Sequence, residues 1–291
     1  MIKRILITGL HGFIGSRFLQ KASGKVEIIE FKGDIVKKKD FFHALENLKV
    51  NAVLHLAAKA HIDACEKDKK EGTAGQAWKV NVLGTANLAY ACKYFGVPLF
   101  YLSTECVFDG EKESFSEKDK PKPINWYGET KLQAEEEVKA SGVKYIILRA
   151  VLTFGHPLSF PHDITRIFFQ ALKSGKAIGV VDDQWFNITF IDDLVDTMTT
   201  LLLSNRQGLY HYGGSEVLTP FELALRLARV FNLKKTSILP LSLSKFFAKN
   251  AKFRLKHAVL NSSKIKRDFN IVPSNLGKAL YQLKSRYNSK V

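Results

Sequence analysis

Ile5-Leu6-Ile7-Thr8-Gly9-Leu10-His11-Gly12-Phe13-Ile14-Gly15-Ser16 is an apolar run followed by glycines three apart and then by the opening of a helical pattern. An uninterrupted apolar run reads as a strand buried on both faces of a parallel sheet. Glycines at the turn into a helix let the backbone approach a phosphate held at the helix N-terminus. Gly9, Gly12 and Gly15, with Phe13 and Ile14 between them, are therefore the expected phosphate cradle. Glu30 follows the next run, Val26-Glu27-Ile28-Ile29. It stands about twenty residues on, where a dinucleotide fold sets an acid on the adenosine ribose.

The chain has 291 residues, 46% of them apolar, enough for one large core or two modest ones. No run approaches the roughly eighteen apolar residues of a membrane span, and Met1-Ile-Lys-Arg4 leads straight into the first strand without a signal-peptide core. A cytoplasmic protein is expected. Cys65, Cys92 and Cys106 are odd in number and lack metal-ligand spacing, so neither a disulfide framework nor a metal site is expected. The net charge of +16 raises the question of a nucleic-acid or anionic-membrane partner. Clusters such as Lys37-Lys38-Lys39 are not interleaved with aromatics, so a solvated basic surface suited to an anionic substrate is expected, with no nucleic-acid partner.

From residue 1 to about 155, short β-branched runs alternate with helical stretches, which predicts an α/β fold with a doubly wound parallel sheet. Strands are expected at Arg4-Ile7, Val26-Ile29, Ala52-Leu56, Leu99-Leu102 and Tyr145-Arg149. Their carboxyl ends carry Gly9, Glu30, Ala57-Ala58, Ser103-Thr104 and Arg149-Ala150, where ligands sit in open α/β sheets. Beyond Gly155 the pattern is less regular. Asp192-Asp193 are expected to cap a helix through Leu203, and Thr219-Pro220 to open another. The expected division is a Rossmann domain over residues 1–155 with roughly 186–205, and a smaller α/β lid over 156–185 and 206–291.

Tyr127-Gly-Glu-Thr-Lys131 sets a tyrosine and a lysine four apart on one helix face. An ammonium about 4 Å from the phenol, at an effective dielectric of about 20, contributes about 4 kcal/mol and lowers the tyrosine pKa from ~10 by about three. The strand Tyr101-Leu-Ser-Thr104 ends in hydroxyls upstream of that helix, and Thr104 is placed to hydrogen-bond a substrate carbonyl.

Thr8-Gly9-x-x-Gly12-x-x-Gly15, Ser103-Thr104 and Tyr127-x-x-x-Lys131 together resemble an extended short-chain dehydrogenase/reductase. Ser103-Thr-Glu-Cys-Val-Phe-Asp-Gly110, Asn125-Trp-Tyr-Gly-Glu-Thr-Lys-Leu132 and Val180-Val-Asp-Asp-Gln184 are similar to the dTDP-4-dehydrorhamnose reductase group. The resemblance implies that Gly9, Gly12 and Gly15 hold the pyrophosphate of NAD(H) or NADP(H), Asp34 and Ile35 the adenine, and Ala57 and Ala58 the adenosine side. Lys131 would clamp the nicotinamide ribose, Tyr127 exchange a proton with a sugar C4 oxygen and Thr104 polarise that carbonyl. Asn81 matches a helical position that supports a proton relay. The implied activity is NAD(P)H-dependent reduction of a nucleotide-activated 4-keto-6-deoxysugar for cell-surface polysaccharide, with a homodimer as the assembly considered.

Some positions depart from that group. Glu105-Cys106 stand where it shows Asp-Tyr, and Leu152 replaces a Trp that would pack on the sugar, so these three mark the expected substrate side with Trp185 and Arg254. Arg254 is set to meet a diphosphate and Trp185 to stack on a base or sugar. Thr189-Phe-Ile-Asp-Asp-Leu194 looks more like the epimerase branch, which keeps an NAD-retaining nucleotide-sugar 4-epimerase open. A non-catalytic dinucleotide-binding regulatory subunit is the reading from outside enzymology. Glu30 favours NAD(H) by repelling a 2′-phosphate, and Lys32 pulls toward NADP(H), leaving a slight preference for NAD(H).

Overall fold

Four apolar runs become the inner strands of one sheet because nothing else in the chain can cover both of their faces. In order, the first half forms β1 (Arg4–Thr8), α1 (Phe13–Ala22), β2 (Glu27–Glu30), α2 (Lys38–Leu48), β3 (Ala52–His55), α3 (Ile62–Asp68), α4 (Gln76–Trp78), α5 (Gly84–Tyr94), β4 (Leu99–Thr104), α6 (Trp126–Ala140) and β5 (Tyr145–Ala150). The second half forms β6 (Thr153–Phe154), α7 (Ile164–Lys173), β7 (Ile178–Val181), β8 (Trp185–Phe186), β9 (Thr189–Phe190), α8 (Ile191–Leu203), β10 (Gly208–Tyr212), α9 (Pro220–Phe231), β11 (Ile238–Leu241), α10 (Leu243–Phe247), β12 (His257–Ala258), α11 (Ser263–Phe269) and α12 (Leu276–Asn288). The computed structural model describes residues 2–156 and 160–288. Among the described residues no helix is long and apolar enough to cross a membrane.

The six-stranded sheet runs β10-β5-β4-β3-β1-β2. β1 pairs in parallel with both β2 and β3, and β3 with β4, with Ile7 opposite Leu54 and Thr8 opposite His55. Ile5, Leu6, Ile7, Val53 and Leu54 are fully buried, as the apolar runs require. The chain leaves β1 toward β2 on one side and reaches β3 on the other, so the order reverses at β1 and β3. Ligand crevices form at such switch points, beyond the carboxyl ends of the strands. Gly9 and Ala57 lie there.

Two compact units divide the chain. The first comprises Met1–Asp109, Lys120–Arg149 and Val195–Tyr210; the second comprises Gly110–Asp119, Ala150–Leu194 and His211–Val291. The texture of the sequence places the divisions at 155, 186 and 205 instead. Residues 110–119 go with the second unit because the Phe115 N–H donates to Val259 O and the Asn261 N–H to Phe115 O. In that unit three short parallel pairs form, β6 with β9, β7 with β11 and β8 with β12. Thr219 and Glu222 make a capping box at the start of α9. Asp192 and Asp193 fall inside the first turn of α8 rather than before it; Asp192 pairs with Arg286, and Asp193 accepts from the Ser274 N–H and hydroxyl.

A buried ion pair joins β5 to α6 within the first unit. Glu135 accepts from Arg149 Nε at 2.8 Å and Nη2 at 2.6 Å, and from the Ser103 hydroxyl at 2.6 Å. Both charges have essentially no exposure, and the Arg149 guanidinium also lies 5.1 Å from the Phe108 ring. Removing one member of such a pair strands the other charge in a dry environment. Glu135→Ala is expected to lower unfolding stability by about 3–5 kcal/mol, measured by chemical denaturation. A loss under about 1 kcal/mol would mean that Arg149 finds other partners or water.

Candidate active site

The glycine turn is shaped by contacts that leave no room for a side chain. Gly9 has φ +72°, and a Cβ there would stand 2.7 Å from the Ala57 nitrogen; a Cβ on Gly15 would meet the Gly9 carbonyl oxygen at 2.3 Å. α1 therefore starts directly against the turn, with Gly12 as its N-cap, no acidic residue in its first turn, and Phe13 and Ile14 half-buried. The head of a helix with no acid in its first turn, set against a turn of closely packed glycines, fits a pyrophosphate. The residues present thus fit a dinucleotide.

Beneath the turn lies a polar chain that the sequence reading missed. The Ala57 N–H donates to Thr8 Oγ1 at 3.3 Å, Thr8 Oγ1 meets His55 Nδ1 at 2.5 Å, and His55 Nε2 meets Thr85 Oγ1 at 3.0 Å. Thr85 spends its one proton on the Asn81 carbonyl at 2.6 Å. His55 must then donate from Nε2 and accept from Thr8 at Nδ1. Burial first, and the Lys131 charge second, lower its pKa to about 3, so the ring is neutral. A histidine inside the apolar run Ala52-Val-Leu-His55 was the available signal.

Glu30, expected on the adenosine ribose, closes β2, and its Oε1 meets His11 Nε2 at 2.7 Å. The glycine turn thus supplies a partner to the acid expected on the ribose. An open depression of about 820 Å³ beside β2 is lined by Glu30, Lys32, Gly33, Lys39 and His43, among others. Asp34 accepts from the Val36 N–H, and Ile35 packs where a Gly84 side chain would otherwise sit. The Asp34-Ile35 loop is thereby held against α5.

The polar centre gathers around the end of β4. Thr104 Oγ1 donates to Glu105 Oε2 at 2.7 Å and accepts from the Cys106 N–H at 3.2 Å, with the Tyr127 side chain beside it. Thr104, Glu105 and Cys106 are buried and Tyr127 is half-buried. Gly128 makes this closeness possible: a Cβ there would lie 1.9 Å from the Cys106 carbonyl oxygen. The Asn125 side chain caps the helix by accepting from the Gly128 N–H at 2.7 Å.

Lys131 does not act on Tyr127 as the i,i+4 spacing implies. Its Nζ donates to the Leu102 carbonyl at 2.7 Å and sits 4.0 Å from the centre of the Tyr101 ring. Burial, opposed by Glu135, brings the ammonium down to about 7. Tyr127 moves the other way: burial, with Cys106 and Glu105 next, pushes its hydroxyl well above 10, and only the Thr104 hydrogen bond opposes this. The spacing put both side chains on one face, but the sheet opposite decides what each one meets.

Asn81 lies in a π-helical turn, Lys79–Leu83, between α4 and α5. Its Oδ1 accepts from the Lys59 N–H at 2.8 Å, and its Nδ2 donates to Lys59 O at 3.0 Å and to Thr130 Oγ1 at 2.9 Å. It ties the loop after Ala57-Ala58 to the residue beside Lys131. Such π turns often mark functional positions.

The remaining expected residues lie in the second unit. Leu152 is exposed between β5 and β6, Trp185 stacks on His257 with centroids 5.0 Å apart, and the Arg254 guanidinium stands 4.4 Å from the centre of the Phe247 ring. Among the described residues no group of three or more His, Cys, Asp or Glu is arranged to hold a metal ion.

Known proteins are similar to this chain along nearly its whole length. The rat protein "Methionine adenosyltransferase 2 subunit beta" is 26% identical over 284 residues, covering 90% of this chain and 81% of its own. A dTDP-4-dehydrorhamnose reductase from Aggregatibacter actinomycetemcomitans is 26% identical, covering 97% of this chain and 98% of its own. The crystal structure of dTDP-4-dehydrorhamnose reductase from Bacillus anthracis in complex with NADP superposes with a TM-score of 0.89 at 26% identity, covering 97% of this chain and 99% of that one. Residues 3–288 match the family described as the RmlD substrate binding domain, and the chain belongs to that family.

Proposed function

We propose that the chain is an NAD(P)H-dependent oxidoreductase of the extended short-chain type that reduces C4 of a nucleotide-activated 4-keto-6-deoxysugar. The observation that carries this reading is the placing of Tyr127 beside the hydrogen-bonded Thr104–Glu105 pair, with Lys131 buried on the same helix. The relatives named as dTDP-4-dehydrorhamnose reductases support the substrate class.

When bound, the nicotinamide dinucleotide supplies the hydride for C4. Gly9, Gly12 and Gly15 hold its pyrophosphate, and Lys131 is placed for the nicotinamide ribose. Tyr127 Oη gives its proton to the sugar C4 oxygen; the phenol carries that proton near neutrality, and its raised pKa makes it a weak acid whose proton transfer needs the developing alkoxide as acceptor. For Thr104 to polarise the carbonyl, its proton must turn away from Glu105, exchanging one hydrogen bond for another.

The rat relative favours a second reading, a dinucleotide-binding subunit without turnover. Tyr127→Phe separates the two. It should lower the rate of NAD(P)H oxidation with a 4-keto sugar by about 100-fold or more, the usual worth of a positioned acid, while leaving cofactor affinity within about threefold. A wild-type protein that binds cofactor but oxidises none with dTDP- or UDP-4-keto sugars would favour the subunit. Interconversion of two sugars without net oxidation would favour the epimerase.

Cofactor choice rests on Glu30 and Lys32. A slight preference for NAD(H) follows from the carboxylate, moderated by its bond to His11 and by Lys39 in the same depression. In titrations of the apoprotein, Lys32→Ala should weaken NADPH about fivefold and leave NADH unchanged, an ion-pair loss of about 1 kcal/mol. Equal weakening of both would remove the lysine from discrimination.

Lys131 costs stability. Its folded pKa of about 7 lies below the value of ~10.4 in an unfolded chain, so the unfolded state binds more protons between those values and stability rises with pH across that range. Below pH 7 the lysine is charged in both states and its cost is fully present. Cofactor-free Lys131→Met should be inactive yet, at pH 6, more stable than the natural chain by about 2 kcal/mol after allowing for the lost hydrogen bond to Leu102. The difference should narrow at pH 9, as followed by denaturant unfolding; a variant less stable at pH 6 would overturn this account.

A further inference from the structure

The basic character of this chain is not spread along it. After Glu222 the sequence holds sixteen Lys and Arg and a single acid, Asp268, whereas the residues through Glu222 hold 28 Lys and Arg against 27 acids. Nearly all of the +16 net charge therefore belongs to the last part of the second unit. Arg254, expected at the substrate diphosphate, accounts for one of these sixteen charges.

We propose that residues 243–256 form a docking surface for anionic phospholipid headgroups. α10 leads into a 3-10 turn, Ala248–Phe253, through Ala248, whose φ of +47° and ψ of −126° are strained for a residue with a Cβ. The bend separates Lys245 and Phe246 from Lys249 and Lys252. Lys245, Phe246, Lys249, Lys252 and Lys256 are all exposed, and half of the Phe246 surface meets solvent. Phe247 is half-buried beneath it, in edge contact with Phe246 at 4.8 Å and under the Arg254 guanidinium. The sequence has no carboxylate between Glu222 and Asp268, and the acid that meets this segment, Asp183, accepts from the Leu243 N–H at the head of α10.

Charge complementarity and the exposed ring decide the occupant. The four exposed cations are lysines, compact point charges on long stems that suit a diffuse anionic surface better than the bidentate contacts Arg makes with single phosphates. An exposed aromatic among them is the composition of an interfacial segment, whose ring enters the headgroup boundary while the stems reach outward. A single-stranded nucleic acid would instead want several aromatic faces in a row, and only Phe246 among these aromatics is exposed. The surface stands independently of the reductase reading.

The test is sedimentation of the full chain with phosphatidylcholine vesicles containing about 30% phosphatidylserine, and with phosphatidylcholine alone, at about 0.1 M and 0.5 M salt. Retention is expected only on the anionic vesicles and only at the lower salt. Reversing Lys245, Lys249 and Lys252 to Glu should weaken it by at least about tenfold, and Phe246→Ser by about threefold. Reversing Lys37, Lys38 and Lys39 in the first unit should change it by less than about twofold. No retention, equal loss from both triple variants, or displacement from the vesicles by a lower mass of RNA than of added anionic lipid would each overturn the proposal.

Discussion

The Glu135–Arg149 pair is the constraint on which the polar centre depends. An ion pair with no access to water is tolerated only when its geometry is close to ideal and its remaining lone pairs are filled; here the fork of Arg149 meets both carboxylate oxygens and Ser103 supplies a further donor. The pair therefore fixes α6 against both β4 and β5. Ser103 precedes Thr104, and Glu135 lies one helical turn beyond Lys131. Tyr127, Lys131 and Thr104 thus inherit their positions from a contact that itself does no chemistry. A carboxylate already saturated by Arg149 can only partly offset the desolvation of the Lys131 ammonium, consistent with a pKa that stays depressed.

Close backbone approach is the second constraint, and it works in two places. Gly15 and Gly9 let α1 begin on top of the turn, and Gly128 lets α6 begin on top of the Cys106 carbonyl. Either contact would be lost with one methyl group. The two are linked through Thr8, His55, Thr85, Asn81 and Thr130, a run of hydrogen bonds reaching from the glycine turn to the first turn of α6. Because each hydroxyl in it has one proton to give, the tautomer of His55 is determined by its neighbours. The glycine turn and the polar centre at the end of β4 are parts of one framework in the first unit.

Much of this was legible because strands and turns are written locally. The expected strand Arg4-Ile7 extends to Thr8, and Val26-Ile29 moves on by one residue to Glu27–Glu30. What could not be read were relations between residues far apart in sequence. The i,i+4 rule correctly puts Tyr127 and Lys131 on one face, but the Leu102 carbonyl and the Tyr101 ring, opposite on β4, capture the ammonium. Glu30 has the expected position, yet its partner His11 lies inside the glycine turn itself. Arg149 is at a strand end like the other suggestive residues, and only its 14-residue separation from Glu135 across a helix and a turn reveals it as structural. Net charge misled for a similar reason, since a sum over 291 residues hides a nearly neutral first part and a cationic last part.

The cost of Lys131 bears on which reading of the family applies. A lysine with 3% of its surface exposed, drawn down to about 7 and bonded to a lone backbone carbonyl, weakens the folded chain at neutral pH. The ammonium is the group expected at the nicotinamide ribose, so this cost falls on the cofactor-free chain, which would fold better with an apolar side chain at this position. The same holds for Glu105, which is buried while accepting the Thr104 proton and raises the Tyr127 pKa. Polar groups kept in a dry place against stability are the mark of a site that has chemistry to perform, and here they surround one phenol.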